Sequence, residues 1–219
     1  MGSTTAAPAP AAGELPPLRP RALSRPTDAV SLLREVLDAR GVRARPQAGQ
    51  ALLRQGESQA RLFLLESGSV ELSCVVESGR ECVLDLVLPG EVFGGSEGES
   101  PFSALAREEC YVRSVDPAVL GRHALAELAT ERTLRFAERL RDALVLDAAE
   151  RVMAVVRDLA DRCSTRIPGG RRVDVSVTQE DLARMTGCTR ETVNRTLNRL
   201  SVERRLVRRG RRYVVPYLS

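Results

Sequence analysis

Arg190, Glu191, Asn194 and Arg195 fall within six consecutive residues, and their side chains suit the edges of DNA base pairs. On a helix this spacing puts them on one face near the N-terminal end. Arginine makes a bidentate bond to guanine O6 and N7, and glutamate accepts from cytosine N4. Other chemistries have little to build on. The chain holds a single histidine, His123, so a Ser-His-Asp cluster has no support. His123 sits among apolar residues in a helical segment and is read as structural or solvent-facing, not as a metal or haem ligand. Five cysteines, Cys74, Cys82, Cys110, Cys163 and Cys188, are odd in number and show no CxxC spacing. They suggest neither a zinc site nor a disulfide framework. With no glycine-rich phosphate loop either, the chain is expected not to be an enzyme and to carry no metal and no cofactor.

The elements that must position the four residues are legible. Thr178 is placed to cap a helix, with Asp181 three residues on as its capping-box partner. Leu182, Ala183 and Met185 give that helix a buried face, and the small Ala183 allows a close helix crossing. Gly187 falls where a turn between helices needs a positive φ. Thr189 caps the second helix, which Val193, Leu197 and Leu200 anchor. A strand, a basic turn and a second strand follow over residues 206–215. Arg208 and Arg211 of this turn are expected to touch phosphates. Upstream, residues 148–162 read as a helix, 167–172 as a turn, and Val173, Val175 and Val177 alternate as a strand. Residues 148–219 thus describe a winged helix-turn-helix.

The first part of the chain has another period. Residues 27–41 read as a helix. Residues 43–116 alternate short apolar runs with turns at Gly49, Gly56, Gly68, Gly79 and Gly90, which predicts an antiparallel sandwich or barrel. Residues 117–146 return to helical spacing, with Leu125, Leu128, Arg132, Phe136, Leu140 and Ala143 at steps of three or four. That row is either a coiled-coil-like seam or core of its own unit. The seam is favoured, with Leu128, Phe136 and Leu140 in a homodimer interface, because palindromic DNA needs a two-fold reader.

Charge follows the same division. All 33 basic residues are arginine. Residues 151–219 hold 16 arginines against 7 acidic residues, whereas residues 1–150 hold 17 against 22. Only the last part is expected to meet a polyanion. No apolar run is long enough to span a membrane. Residues 1–26, rich in Ala and Pro, lack the apolar core of a secretory signal and read as a disordered tail. The cysteine pattern suits a reducing, cytoplasmic setting.

The stretch TQEDLARMTGCTRETVNR, residues 178–195, resembles the Crp/Fnr family of bacterial transcription regulators, most specifically in GCTRETV, residues 187–193. The resemblance extends over about residues 27–216. It implies an α+β protein with an N-terminal antiparallel, jelly-roll-like β-roll (27–116), a long dimerisation helix with a hinge at Asp147 (117–147), and a C-terminal winged helix-turn-helix (148–219). It further implies that Arg190, Glu191 and Arg195 read a TGTGA-like half-site, and that Thr178, Thr189 and Thr192 hold phosphates. The family often carries Arg where Gln179 stands. The implied partners are double-stranded DNA, a second copy of the chain and RNA polymerase.

The resemblance fails at the family's cyclic-AMP cassette. Gly90-Glu91-Val92-Phe93-Gly94-Gly95 has Gly95 where a ribose-holding Glu is usual. Phe102-Ser103-Ala104 has Phe102 where the phosphate-neutralising Arg belongs. The two purine-holding hydroxyls of the dimer helix fall at Phe136 and Ala137. A buried phosphodiester without its cation is costly, so Gly94, Gly95, Phe102, Ser103 and Phe136 mark a degenerate effector pocket and cyclic-AMP control is not expected. Arg107, by a shifted register, is the candidate substitute cation. The alternative is a regulator of this family responding to a cyclic nucleotide or dinucleotide through a non-standard site. The cysteine positions do not fit the family's iron–sulfur sensors, nor His123 its haem sensors. A redox role at Cys74, Cys82 or Cys110 stays open.

Overall fold

The computed structural model describes residues 28–95 and 98–217. The expected disordered tail lies outside them. Helix α1 (Asp28–Arg40) buries Ala29, Val30, Leu33 and Leu37 on one face. Eight strands follow: β1 (Val42–Ala44), β2 (Ala51–Leu53), β3 (Leu62–Ser67), β4 (Val70–Val75), β5 (Glu81–Val87), β6 (Val92–Gly94), β7 (Ser103–Ala106) and β8 (Tyr111–Val115). They form two antiparallel sheets, ordered β1-β8-β3-β6 and β2-β7-β4-β5. Phe63, Leu65, Leu72, Val87, Phe93 and Phe102 fill the space between them. Five strands match the apolar runs of the sequence. The other three, β1, β6 and β7, are three or four residues long and contain Arg, Gly, Ala or Ser, so they carry no run to read.

The helix expected over residues 117–146 starts later. Pro117–Val119 form a single 3-10 turn capped by Asp116, and Gly121, at φ 58°, separates it from α2 (Arg122–Val145). Helix α3 (Ala148–Arg162) follows, with the Asp147 carboxylate accepting from the Glu150 N–H. The rest is β9 (Ser164–Ile167), β10 (Gly170–Val173), α4 (Gln179–Thr186), α5 (Arg190–Val202), β11 (Val207–Arg209) and β12 (Arg212–Pro216), with sheet order β11-β12-β10-β9. The expected strand through Val175 and Val177 stops at Val173, because its neighbour β9 runs out opposite it at Ser164. Val175 and Val177 are buried nonetheless, as core without a ladder. The expected architecture of antiparallel roll, long helix and winged helix-turn-helix is therefore found.

The second core joins Val152, Met153, Val156 and Leu159 of α3 to Leu182, Val193, Leu197, Leu200 and Tyr213. Leu86 and Leu88, at the end of β5, also belong to it. Strand β5 is a sheet edge, with carbonyls free to accept. Arginines from the two helices cover it: Arg139 Nη1 of α2 donates to Leu84 O at 2.7 Å, and Arg162 Nη1 of α3 donates to Leu86 O at 3.0 Å. Between those carbonyls lies Asp85, only 4 % exposed. Its carboxylate meets Arg139 at 2.8 Å, Arg162 at 3.1 Å and Arg135 at 3.4 Å. Glu91 adds a second carboxylate, 3.0 Å from Arg162 and 3.1 Å from Arg135. Burial alone pushes the Asp85 carboxyl up, but Arg139, Arg162, Arg135 and Arg132 together outweigh it and hold it down at about 2.

Removing one member of a buried ion cluster leaves the others without counter-charge, at a cost of about 3–5 kcal/mol. Asp85→Asn should lower the melting temperature by roughly 10 °C at pH 7. Because the folded pKa lies below the unfolded value of about 3.9, the carboxylate stabilises fully above that value and loses its effect as pH falls through about 2. The gap in melting temperature between wild type and Asp85→Asn should therefore close as pH drops from about 4 towards 2. An equal gap at both ends would show that the charge is not what holds the three elements.

Candidate nucleic-acid interface

The helix pair is built by local rules. Thr178 Oγ1 accepts from the Asp181 N–H at 3.1 Å, and Asp181 Oδ2 accepts from the Thr178 N–H at 2.7 Å, a complete capping box. Gly187 ends α4 in the left-handed region at φ 66°. A Cβ there would meet nothing within 4 Å, so conformation and not space requires glycine. Thr189 then caps α5, its Oγ1 accepting from the Thr192 N–H at 3.1 Å and lying 2.9 Å from Thr192 Oγ1. Val193, Thr196, Leu197 and Leu200 face the core.

Arg190, Glu191, Asn194 and Arg195 are exposed together on the opposite side of α5. Among the described residues the side chains of Arg190, Glu191 and Arg195 have no ion-pair or hydrogen-bond partner, whereas acidic partners hold most arginines nearer the core. The capping hydroxyls of Thr189 and Thr192 stand at the α5 N-terminus, where the helix dipole favours phosphate. The β11–β12 turn exposes Arg208, Arg209, Arg211 and Arg212, with Arg208 Nε donating to Gly210 O at 3.0 Å. Sequence reasoning missed one link here. Gln179, where the family often has Arg, donates from Nε2 to Asn194 Oδ1 at 2.9 Å and so ties the start of α4 to the exposed face of α5.

Among the residues of the expected effector pocket, Phe102 lies under the guanidinium of Arg132. Gly95 has a φ of 80°, and a Cβ there would lie 2.8 Å from Leu62 Cδ1. A glutamate at this position would thus need both a strained backbone and a displaced Leu62. Gly94 ends β6, Phe102 is buried in the roll core, and Ser103 Oγ accepts from the Gln55 N–H at 3.1 Å. Arg107 is not the substitute cation. It turns away from the roll interior to pair with Asp181 and donates to Ser176 O at 3.1 Å. Arg132 comes from α2. Its Nη2 donates to Val92 O, its guanidinium carbon lies 5.8 Å from the Phe102 ring centre, and its buried Nη1 has no acceptor among the described residues. Burial pulls its pKa down, only partly offset by the Asp85 carboxylate. Phe136 lies one turn further along α2, half-buried. An arginine inside an otherwise apolar row was the signal in the sequence.

The row itself divides between two faces. Leu125 and Leu128, half-buried, pack against the core formed by α1, β3 and β8. One exposed line along α2 is Ala126, Thr130, Thr133, Ala137, Leu140 and Leu144, with Ala129, Leu134 and Ala143 exposed beside it. Leu140 is 61 % and Leu144 77 % exposed. Thr130 and Thr133 turn their hydroxyls back to the carbonyls of Ala126 and Ala129, at 2.7 and 2.8 Å. That leaves this face apolar in character. His123 is exposed, and burial pushes the Cys74, Cys110 and Cys163 thiols up, away from the reactive thiolate.

Residues 45–124 match the cyclic nucleotide-binding domain, and residues 150–218 match the Crp-like helix-turn-helix domain. A relative described as a CRP-like cAMP-activated global transcriptional regulator, from Mycobacterium tuberculosis, is 30 % identical over 162 residues, 68 % of this chain and 72 % of that protein. The nitrogen fixation regulation protein FixK of Rhizobium meliloti is 29 % identical over 73 % of this chain and 74 % of its own length. Among solved structures, FixK2 from Bradyrhizobium japonicum superposes with a TM-score of 0.69 at 24 % identity, covering 80 % of this chain and 92 % of that one. A CRP-family transcriptional regulator from Thermus thermophilus gives 0.66 at 26 % identity, with the same coverage. With both domain matches in order along the chain, and a helix-turn-helix carrying the GCTRETV stretch, the protein belongs to the Crp/Fnr family of DNA-binding transcription regulators.

Proposed function

We propose that the chain works as a homodimer that reads a palindromic, TGTGA-like site and does so without cyclic AMP. The observation that carries this reading is the exposed triplet Arg190, Glu191 and Arg195, unpaired among the described residues, on the capped first turns of α5. Arg190 and Arg195 would each hold a guanine, and Glu191 a cytosine. Thr178, Thr189, Thr192, Arg208 and Arg211 would hold phosphates and set the register. The units divide as 27–116, 117–147 and 148–219. Leu146 and Asp147 are extended between α2 and α3, and Asp147 serves as the hinge.

Dimerisation is assigned to the exposed line along α2. Its six positions are spaced four and three residues apart in turn, the repeat of a paired helix seam. Of the three residues expected in the interface, Leu140 fits this face best, with Leu144 beside it. Leu140→Asp would place charges opposite each other across the seam. Light scattering should report a monomer at micromolar concentration, while the melting temperature stays close to wild type because the side chain is exposed. A dimeric mutant rules out this face.

The relative from Mycobacterium tuberculosis is named as activated by cyclic AMP. Here Gly95 and Phe102 offer neither the ribose carboxylate nor the phosphate cation, and Arg132 already lies across the Phe102 ring. Calorimetry with cyclic AMP should show no binding tighter than about millimolar, and gel shifts should succeed without it. A micromolar constant, or a shift that requires cyclic AMP, refutes this. A second reading rests on the buried Arg132 Nη1, which has no acceptor among the described residues and suits an anion. Micromolar binding of a cyclic dinucleotide would favour it.

Base reading is tested by selecting sites from random DNA. The wild type should select two inverted half-sites with centres about one helical turn apart. Arg190→Ala should cost about 1–3 kcal/mol and relax preference at one base pair per half-site. Arg208→Ala or Arg211→Ala should weaken all sequences similarly and flatten the salt dependence. Equal stringency from wild type and Arg190→Ala would remove α5 from the role of reader.

A further inference from the structure

The DNA-binding unit is fastened to the β-roll through α4, away from the exposed face of α5. Arg184 of α4 meets Glu71 of β4 at 2.7 Å and Glu81 of β5 at 2.9 Å. In the other direction Arg107, just after β7, pairs with Asp181 of α4 and lies 3.9 Å from Glu71. The result is one row of alternating charge, Glu81, Arg184, Glu71, Arg107 and Asp181, that crosses between the two units three times. Most of it is shielded from solvent, the side chains of Glu71, Asp181 and Arg107 being 8 %, 11 % and 18 % exposed. Isolated surface pairs contribute little. This row is mostly buried, shares its partners, and stands beside Leu86 and Leu88, which enter the core of the DNA-binding unit. Asp181 is also the capping-box residue of α4, so the row grips the helix by the group that starts it.

We infer that Arg107 and Arg184 are positioning residues for DNA reading: they clamp α4 to the roll and so fix where the α5 face points relative to α2. This rests on the reading of the protein as a homodimer on a palindrome. A two-fold reader must present two helices at a set separation. If each unit swivels, that ordering is lost freedom when the second half-site engages; if each is clamped, the second site is met at a high effective concentration. The clamp therefore acts on binding to two half-sites and leaves recognition of one half-site to α5 and the wing.

The test uses the full chain with Arg184→Glu, Arg184→Lys and Glu71→Gln. Glu71 lies in the roll, so its isosteric change does not alter the helix-turn-helix itself. Affinity is measured on the full palindrome and on a DNA with one half-site. Amide exchange is followed at residues 84–88, on the edge strand that the DNA-binding unit covers. For Arg184→Glu and Glu71→Gln, affinity for the palindrome should fall about tenfold or more, with single-half-site affinity within about twofold of wild type. Exchange at residues 84–88 should be faster. Arg184→Lys, which keeps the charge, should retain most of the affinity for the palindrome. Unchanged affinity for the palindrome, or an equal loss on both DNAs, overturns the clamp. If the wild type itself does not prefer the palindrome, the homodimer reading fails, and the clamp is then judged on exchange alone: unchanged exchange in both variants overturns it.

Discussion

Asp85 is a carboxylate that water does not reach, and three guanidiniums from two helices compensate for that loss. Moving a charge from water into a protein interior costs several kcal/mol, and only close opposite charges with good hydrogen bonds offset it. Here they come from α2 through Arg135 and Arg139, and from α3 through Arg162. The roll, the long helix and the first helix of the DNA-binding unit therefore meet at one charge. None can leave without exposing it or stranding an arginine. Two of these arginines, Arg139 and Arg162, also cover the β5 edge, because a guanidinium has five donors in a rigid fork. Arg162 serves Asp85, Glu91, Asp158 and the Leu86 carbonyl at once.

The all-arginine composition thus has a structural use. A lysine has three donors on a flexible stem and cannot span a backbone carbonyl and two carboxylates in one plane. Arginines are also distributed by task. Arg135, Arg139 and Arg162 tie the units together, Arg107 and Arg184 tie α4 to the roll, and Arg132 lies against the Phe102 ring. Those on the recognition face and the wing stay free of acidic partners among the described residues. That contrast separates cations that hold the fold from the cations proposed to meet DNA, and net charge alone does not make it.

The helix-turn-helix was legible in the sequence because its signals are local: Thr178 with Asp181, Gly187, Thr189, and the apolar spacing of Val193, Leu197 and Leu200 each act within one turn. The longer strands were legible from their apolar runs, whereas β1, β6 and β7 depend on neighbours distant in the chain. The row on α2 was read in one piece because both faces carry apolar residues at helical spacing. Only the packing of Leu128 against α1 and the exposure of Leu140 separate inside from outside. In the pocket, Gly95 and Phe102 disclosed what was lost, since a missing Glu or Arg is visible at its own position. The cation beside Phe102 was hidden, because Arg132 comes from another element 30 residues along. Arg107, nearer in the chain, was the wrong candidate for the same reason: proximity in sequence does not say which way a side chain leaves a strand end.

Helix α2 is where these constraints converge. Its inward face delivers Arg132, Arg135 and Arg139 to the roll, and its outward face offers Ala137, Leu140 and Leu144. On a helix the two sets are fixed relative to each other by the backbone, so the angle between roll and outward face is set once the ion cluster forms. Leu146 and Asp147, the proposed hinge, are the two residues between α2 and α3 outside a helix. The cluster at Asp85 and the row at Glu71 both bridge that break, one through α3 and one through α4. Two attachments at different points on a rigid unit remove rotation that either alone would permit. The orientation of α5 is therefore a property of buried charge in the roll, at residues that need never touch DNA.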